Sequence, residues 1–364
     1  MSVKQKGNSD NESANASMSV RTGRECFRAL SMPEAVTLAS GVYRVRASVP
    51  SRSKATADMV QTDEAFWTIF SFHFLSGEAF TKADCDAGLT RAVLDATTAR
   101  RLFGTTDAVG HTVQLDYVDY TVAGVVADVS MLATAAYAQI WVPYTAAGAE
   151  AMSWQNDTMG PMHAIILARS SADFDAIREE TELLRKKYND GLQDVEVFYR
   201  GQPDTQLAYL YRRWYAEPDV PGVMLRYAIV VIILLLVPAV NLSGMTLSRM
   251  RRRMAEIGVR KAFGATGGEL MRQVFFENLV LTLLAGIVGL ALSYVATFAL
   301  NGFLFSNSMN ASLSGETALT PGMLLSPWAF IAAFAFCLLM NILSAGIPAW
   351  RASRMNITDA INQR

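Results

Sequence analysis

The sequence predicts an α-helical membrane protein carrying a large extracytoplasmic α/β domain. Three observations predict it. Three apolar runs near the C-terminus are each long enough to cross a bilayer. A long mixed stretch before them alternates strand and helix patterns. Lys and Arg concentrate in the short segment between the first two runs. Of 364 residues, 51% are hydrophobic and 18% charged, and mean hydropathy is +0.21. That balance is too apolar for an ordinary soluble enzyme and too mixed for a bare helical bundle. A net charge of −1 gives no global basic field, so no nucleic acid is expected as partner.

Residues 1–30 open with "MSVKQKGNSDNESANASMSVRTGRE", polar and poor in apolar side chains, and read as a disordered arm. No apolar h-region follows it. Residues 31–224 read as the α/β domain. "RAVLDATTARRLFG" predicts a strand ending at Leu94 and a short helix closed by Gly104. "HTVQLDYVDYTVAGVVADV" alternates around Asp116–Asp119 and predicts a hairpin. "MHAIILAR" reads as a buried strand. "SADFDAIREETELLRKKY" reads as a helix capped by Ser171 or Asp173, with Phe174, Ile177, Leu183 and Leu184 apolar, and "DVEVFY" as a further strand. A helix over Pro203 to Trp214 leads toward the first apolar run, and Tyr209, Tyr211, Trp214, Tyr215 and Tyr227 suit an interfacial aromatic belt.

The membrane domain is predicted over 225–364, with spans at about 225–247, 274–303 and 328–349. Arg249, Arg251, Arg252, Arg253, Arg260, Lys261 and Arg272 lie between the first two spans, against Glu256 and Glu269. The loop between the second and third has no Lys or Arg, and Arg351, Arg354 and Arg364 follow the third. The positive-inside rule therefore puts segment 248–273 and the tail 350–364 in the cytoplasm, and the domain before Leu225 outside. Three spans with a cytoplasmic C-terminus require that domain to cross the membrane, which predicts either the opposite orientation or, the favoured expectation, an upstream span that this sequence lacks.

Ala285, Gly289, Ser293 and Thr297 recur at intervals of four in the second span, as do Ala329, Ala333, Cys337, Asn341 and Ala345 in the third. Such stripes let helices approach closely and predict packed spans. Asn241 and Asn341 bring amides that require partners across helices. Glu277 stands at the cytoplasmic start of the second span. It reads either as an acid favoured near a helix N-terminus or as a switchable contact to Arg260 or Arg272.

No catalytic set is legible. His73, His111 and His163 are far apart, and no phosphate-loop motif occurs. "GATGG" at 264–268 reads as a turn or helix end. Cys26 and Cys85 read either as a pair or as two lone thiols, and Cys337 as a packing residue. No metal or cofactor is expected. In "RRRMAEIGVRKAFGA", Ile257, Val259, Ala262 and Phe263 give an apolar surface with the charges mainly opposite, and Gly264 ends the helix. A helix, a glycine turn and a second helix at the membrane surface make a shape for docking a protein as well as anionic lipid.

"RMRRRMAEIGVRKAFGATGGELMRQVFFENLVLTLLAGIVGLALSY" resembles the cytoplasmic segment and following span of the FtsX-like, MacB-type ABC transporter permeases. "IPAWRASRMNITDAI" resembles that family's C-terminal end, and "FSFHFLSGEAFTKAD", "AVLDATTARRLFG" and "YTVAGVVADV" its periplasmic domain. The resemblance implies four spans with the periplasmic domain between the first and second, in the inner membrane. It implies a non-catalytic subunit, a homodimer or pseudo-dimer with a related permease, seated on ATP-hydrolysing subunits whose motion passes to the periplasmic side. By the same resemblance Arg251, Arg253, Glu256, Ile257, Arg260, Lys261, Phe263 and Gly264 are the ATPase-coupling residues. Export of a peptide, lipid, lipoprotein or antimicrobial is the expected role. A signalling subunit acting on a periplasmic adaptor or cell-wall hydrolase, or a non-transporting scaffold or sensor, is the alternative.

Overall fold

A computed structural model describes residues 1–8, 13–50, 54–131, 133–212, 216–237, 248, 259, 263–264, 266–300, 328 and 330–340. The described residues fall into two compact units, Met1–Val220 and, from Pro221 onward, Pro221–Phe305 with Leu319–Arg364.

In chain order the first unit contains β1 (Ser2–Gln5), β2 (Ala14–Asn15), α1 (Val20–Gly23, continued by a π-helical turn Arg24–Arg28), β3 (Ala35–Ser40), β4 (Tyr43–Ser48) and β5 (Lys54–Thr62). Then come α2 (Phe66–Ile69), β6 (Phe74–Gly77), α3 (Lys82–Asp86), β7 (Arg91–Asp95), α4 (Ala96–Phe103), β8 (Thr112–Leu115), β9 (Val118–Val126) and β10 (Ile140–Pro143). β11 (Met162–Leu167), α5 (Phe174–Asp190), β12 (Val195–Phe198) and α6 (Gln206–Tyr211) complete it. The second unit contains three apolar helices: α7 (Val220–Val237), α8 (Gly267–Ala299) and α9 (Phe330–Met340).

The large sheet runs β6-β9-β7-β10-β5-β4-β8, and β8 also pairs with β9. The long β9 thus closes a ring of six strands, with β6 outside it. Period-2 alternation sorts the side chains. Met59, Leu94, Ile140 and Val142 join Leu102 and Phe103 of α4 in one core, while Val60, Val93 and Trp141 face the other way, with Phe66 and Phe80. The hairpin around Asp116 forms as expected. Asp116 and Tyr117 take φ of 42° and 74°, the left-handed pair of a two-residue turn matched to strand twist. At the other end of β9, Gly77 has φ +65° and its missing Cβ would lie 2.2 Å from the Ala123 carbonyl oxygen. Only glycine lets β6 approach there.

The β7–α4 junction is also as expected. Asp95 caps α4 by accepting from the Thr98 amide at 2.7 Å, and Gly104 closes the helix at φ +79°. Burial pushes the Asp95 carboxyl up to about 6, with Asp128 adding repulsion and Thr98 opposing. The folded state therefore holds this proton more tightly than the unfolded chain, whose Asp titrates near 4. Its contribution is fully present below that value and is lost as pH rises through about 6. Asn caps a helix as well as Asp. Asp95→Asn is thus expected to gain on the wild type between pH 4 and 7, by on the order of 2 kcal/mol. Paired melting curves across that range check it.

Residues 1–30 are not a disordered arm: Met1, Val3, Met18, Val20, Cys26 and Phe27 are buried in a separate core with α5, β11 and β12. β1 lies between β2 and β12, pairing Val3 with Val197. The polar residues that suggested disorder are satisfied by distant groups. Ser19 donates to the Asp157 carbonyl at 2.6 Å and Thr22 to the Thr158 carbonyl at 2.9 Å. The predicted buried strand at β11 is only half-buried, because apart from a bridge between Met162 and Met18 it pairs with β3 in a two-stranded sheet. The cap of the following helical segment is Ser170, one residue before the expected start. Ser170 and Asp173 form a capping box around a 3-10 turn that leads into α5. Ile177, Thr181 and Tyr188 are the buried side of α5, and Leu183 is exposed. Cys26 and Cys85 are free buried thiols in different cores, and burial pushes them up to about 11 and about 12.

Candidate functional site

The segment expected to dock a partner ends in a turn whose geometry is fixed by three local features. The Phe263 amide donates to the Val259 carbonyl at 3.2 Å, a helical i→i−4 bond. Gly264 then takes φ +93°, the left-handed conformation that stops a helix. Two residues later a capping box begins α8. The Thr266 amide donates to Glu269 at 3.0 Å, and the Glu269 amide donates to the Thr266 hydroxyl at 3.3 Å. These bonds to Thr266 hold the Glu269 carboxyl below its usual range. The glycine-rich stretch is therefore a helix end followed by a helix start. Phe263 is 88% exposed and Val259 is also exposed. A phenylalanine held outward on a fixed turn is a shape for insertion into a partner's groove. Arg251, Arg253, Glu256, Ile257, Arg260 and Lys261 lie outside the described residues.

From this turn α8 runs 33 residues without a break, and Phe275–Thr297 is long and apolar enough to cross a membrane. α7 passes the same test, whereas α9 is shorter among the described residues. Glu277 stands half-buried on the third turn of α8. Asn241 and Asn341 lie outside the described residues. Packed spans are expected from the small-residue stripes, and among the described residues a contact between α8 and α9 runs through neither stripe. Ala285, Gly289, Ser293 and Ala333 are all exposed. The contact is one residue along: a Cβ on Gly286 would lie 3.5 Å from the Phe334 ring. An aromatic ring against a glycine fills the space that two small faces would have closed by backbone approach. The Thr297 hydroxyl turns back to the Ser293 carbonyl at 2.8 Å, an intrahelical bond that satisfies it.

In the first unit, two charged clusters were missed by sequence reasoning. Arg28 donates to the Val36 carbonyl at 2.6 Å and to Glu64 at 2.8 Å, and lies 3.5 Å from Asp63. Asp63 is buried and accepts from the Thr37 hydroxyl at 2.5 Å, the Leu38 amide at 3.1 Å and the Ala65 amide at 3.1 Å. Burial pushes its carboxyl above the usual range, against Arg28, Thr37 and the Leu38 amide. One carboxylate thus joins the α1 segment, β3 and the end of β5. The second cluster pairs Asp204 with Arg212 on either side of α6, both almost fully buried. Neither pair has a sequence spacing that announces it. The three histidines sit on separate elements, His111 against the Phe103 ring at 5.6 Å and His163 near the Ser17 hydroxyl at 3.0 Å.

Comparison with known proteins adds the family. Residues 2–184, half of the chain, match the MacB-like periplasmic core domain. Residues 228–357 match the FtsX-like permease C-terminal family. The chain is 25% identical over 307 residues to the macrolide export ATP-binding/permease protein MacB of Chromobacterium violaceum. It is 26% identical over 314 residues to the protein of that name in Escherichia coli strain K12. Each match covers 84% of this chain and 43% of the relative, so the chain spans less than half the length of these relatives. The crystal structure of the periplasmic region of MacB from Actinobacillus actinomycetemcomitans aligns with a TM-score of 0.39 at 18% identity, over 53% of this chain and 85% of that one. A core-domain match followed by a permease match, in the order that the two units have along the chain, places this protein in the family of FtsX/MacB-type ABC transporter permeases.

Proposed function

We propose that this chain is a permease subunit that couples ATP hydrolysis by a partner subunit to conformational change in its MacB-like core domain. The relatives' names join ATP binding and permease in one polypeptide. Here the ATP-binding function is assigned to an ABC ATPase subunit, and this chain supplies no catalytic group. The membrane is the inner membrane, the spans are α7, α8 and the region around α9, and Met1–Val220 stands on the periplasmic side. Two copies, or one copy and a related permease, form the working unit in contact with membrane lipid. Export of a peptide, lipid, lipoprotein or antimicrobial is the activity that best fits.

The observation that carries this reading is the Gly264 turn joined by the Thr266–Glu269 capping box to the unbroken apolar helix α8. A force applied at exposed Phe263 enters a single rigid rod. Arg260, Lys261 and Glu256 supply charge-assisted contacts beside it. Purification of the tagged chain in mild detergent, with mass spectrometry of what accompanies it, tests the assignment. An ABC ATPase subunit is expected with the wild type and absent with Arg260→Glu. A preparation that brings no ATPase contradicts it.

A further inference from the structure

α6 has the polarity of a soluble-protein helix reversed. Its buried residue is Ala208, whereas Leu207, Tyr209 and Leu210 are 46%, 57% and 61% exposed. At 100° per residue, the arc opposite Ala208 is made of Tyr209, Gln206, Leu210 and Leu207. A helix that served only to pack this unit would turn its leucines inward.

The reversal is held in place by a clamp. Thr205 caps α6, accepting from the Ala208 amide at 3.2 Å. Asp204, just before the cap, binds Arg212, just after the helix, through both carboxylate oxygens, one at 2.7 Å from Nη2. Arg212 also donates to the Arg200 carbonyl at 3.2 Å and the Ala216 carbonyl at 2.9 Å. Both members of the pair are 7% exposed. A bidentate, nearly dry ion pair fixes the two ends of this six-residue helix and presents its apolar arc rigidly.

The position of this arc along the chain identifies its partner. Ala216, bonded to the residue that ends α6, is four residues before Val220, where the apolar helix α7 begins. Four extended residues span at most about 14 Å. We infer that α6 is an interfacial helix that seats Leu207, Tyr209 and Leu210 just below the outer headgroups of the bilayer that α7 crosses. This rests on the proposal that α7 spans a membrane. Leucines below the headgroups with a tyrosine hydroxyl among them suit that layer. The arc carries no charge, so the seat depends on apolar burial and not on anionic lipid.

The test uses the full chain in phosphatidylcholine vesicles, with a Cys337→Ser background so that the exposed native thiol does not label; Cys26 and Cys85 are buried. Leu210→Cys, Leu183→Cys on exposed α5 and Ile232→Cys in α7 each carry an environment-sensitive fluorophore, and tryptophan emission verifies each fold. Brominated lipid is expected to quench the label at 210 roughly twofold while aqueous iodide leaves it unchanged, because the seat is below the headgroups. The label at 183 should show the reverse. Iodide quenching at 210 with lipid quenching at 232 overturns the interfacial helix and leaves the membrane reading intact. No lipid quenching at 232 overturns both. A label at 210 shielded from lipid and iodide alike means that protein, such as a second copy, covers α6, and the inference fails.

Discussion

Asp63→Ala is expected to lower the melting temperature of the first unit by about 10 °C. The carboxylate accepts from Thr37, Leu38 and Ala65 and faces Arg28 while being almost wholly buried. Its removal takes the acceptor from the buried Leu38 amide and the part-buried Ala65 amide, and leaves Arg28 with Glu64 and the Val36 carbonyl. Breaking a buried pair in this way costs roughly 3–5 kcal/mol. In a unit of this size each kcal/mol shifts the midpoint by about 2–4 °C. Asp63→Asn keeps an acceptor for the two amides and should lose less than half as much. Tryptophan fluorescence reads the transition directly, because Trp67 and Trp141 sit in one cluster of rings with Phe66, Phe72 and Phe80. A variant that melts with the wild type would show that the two cores do not depend on this joint.

Gly264→Val is expected to uncouple the protein while leaving its insertion unchanged. A β-branched residue at φ +93° is strained by on the order of 1–2 kcal/mol, which is roughly tenfold in the population of correctly turned chain. Among the described residues, chain neighbours aside, no atom lies within 4 Å of where a Cβ would sit, so the expected loss comes from backbone conformation. Any stimulation of the proposed ATPase subunit by this chain is expected to fall by about that factor. Gly264→Asn tolerates the left-handed region and should retain most of it. Equal loss in both variants would mean that the flexibility of the position matters more than its handedness.

These two sites differ in how much of them the sequence showed. The Gly264 turn was legible because a glycine after a periodic apolar segment is a local signal. The helix end at Gly104 was legible for the same reason and the hairpin through its alternation around Asp116–Asp119, whereas the Asp95 cap was not. Asp63 and Arg28 were not, since 35 positions separate them and their pairing depends on β3 lying between them. The N-terminal segment was misread as an arm because composition averages over partners that only folding brings: β1 pairs with β12, at the far end of the unit. Small residues recur on more than one side of α8, so spacing alone does not single out Gly286, where Phe334 lies. The clamp around α6 joins residues eight apart across a short helix, a spacing that no repeat pattern singles out.

The segment ending at Gly264 is proposed as the dock for an ATP-hydrolysing subunit. The most direct measurement places a photo-crosslinking residue at Phe263, which is 88% exposed, and irradiates intact cells. A covalent adduct between this chain and an ABC ATPase subunit is expected, and its disappearance when Arg260→Glu is added. Adducts only with lipid, or an ATPase adduct at undiminished yield in the Arg260→Glu chain, would contradict it.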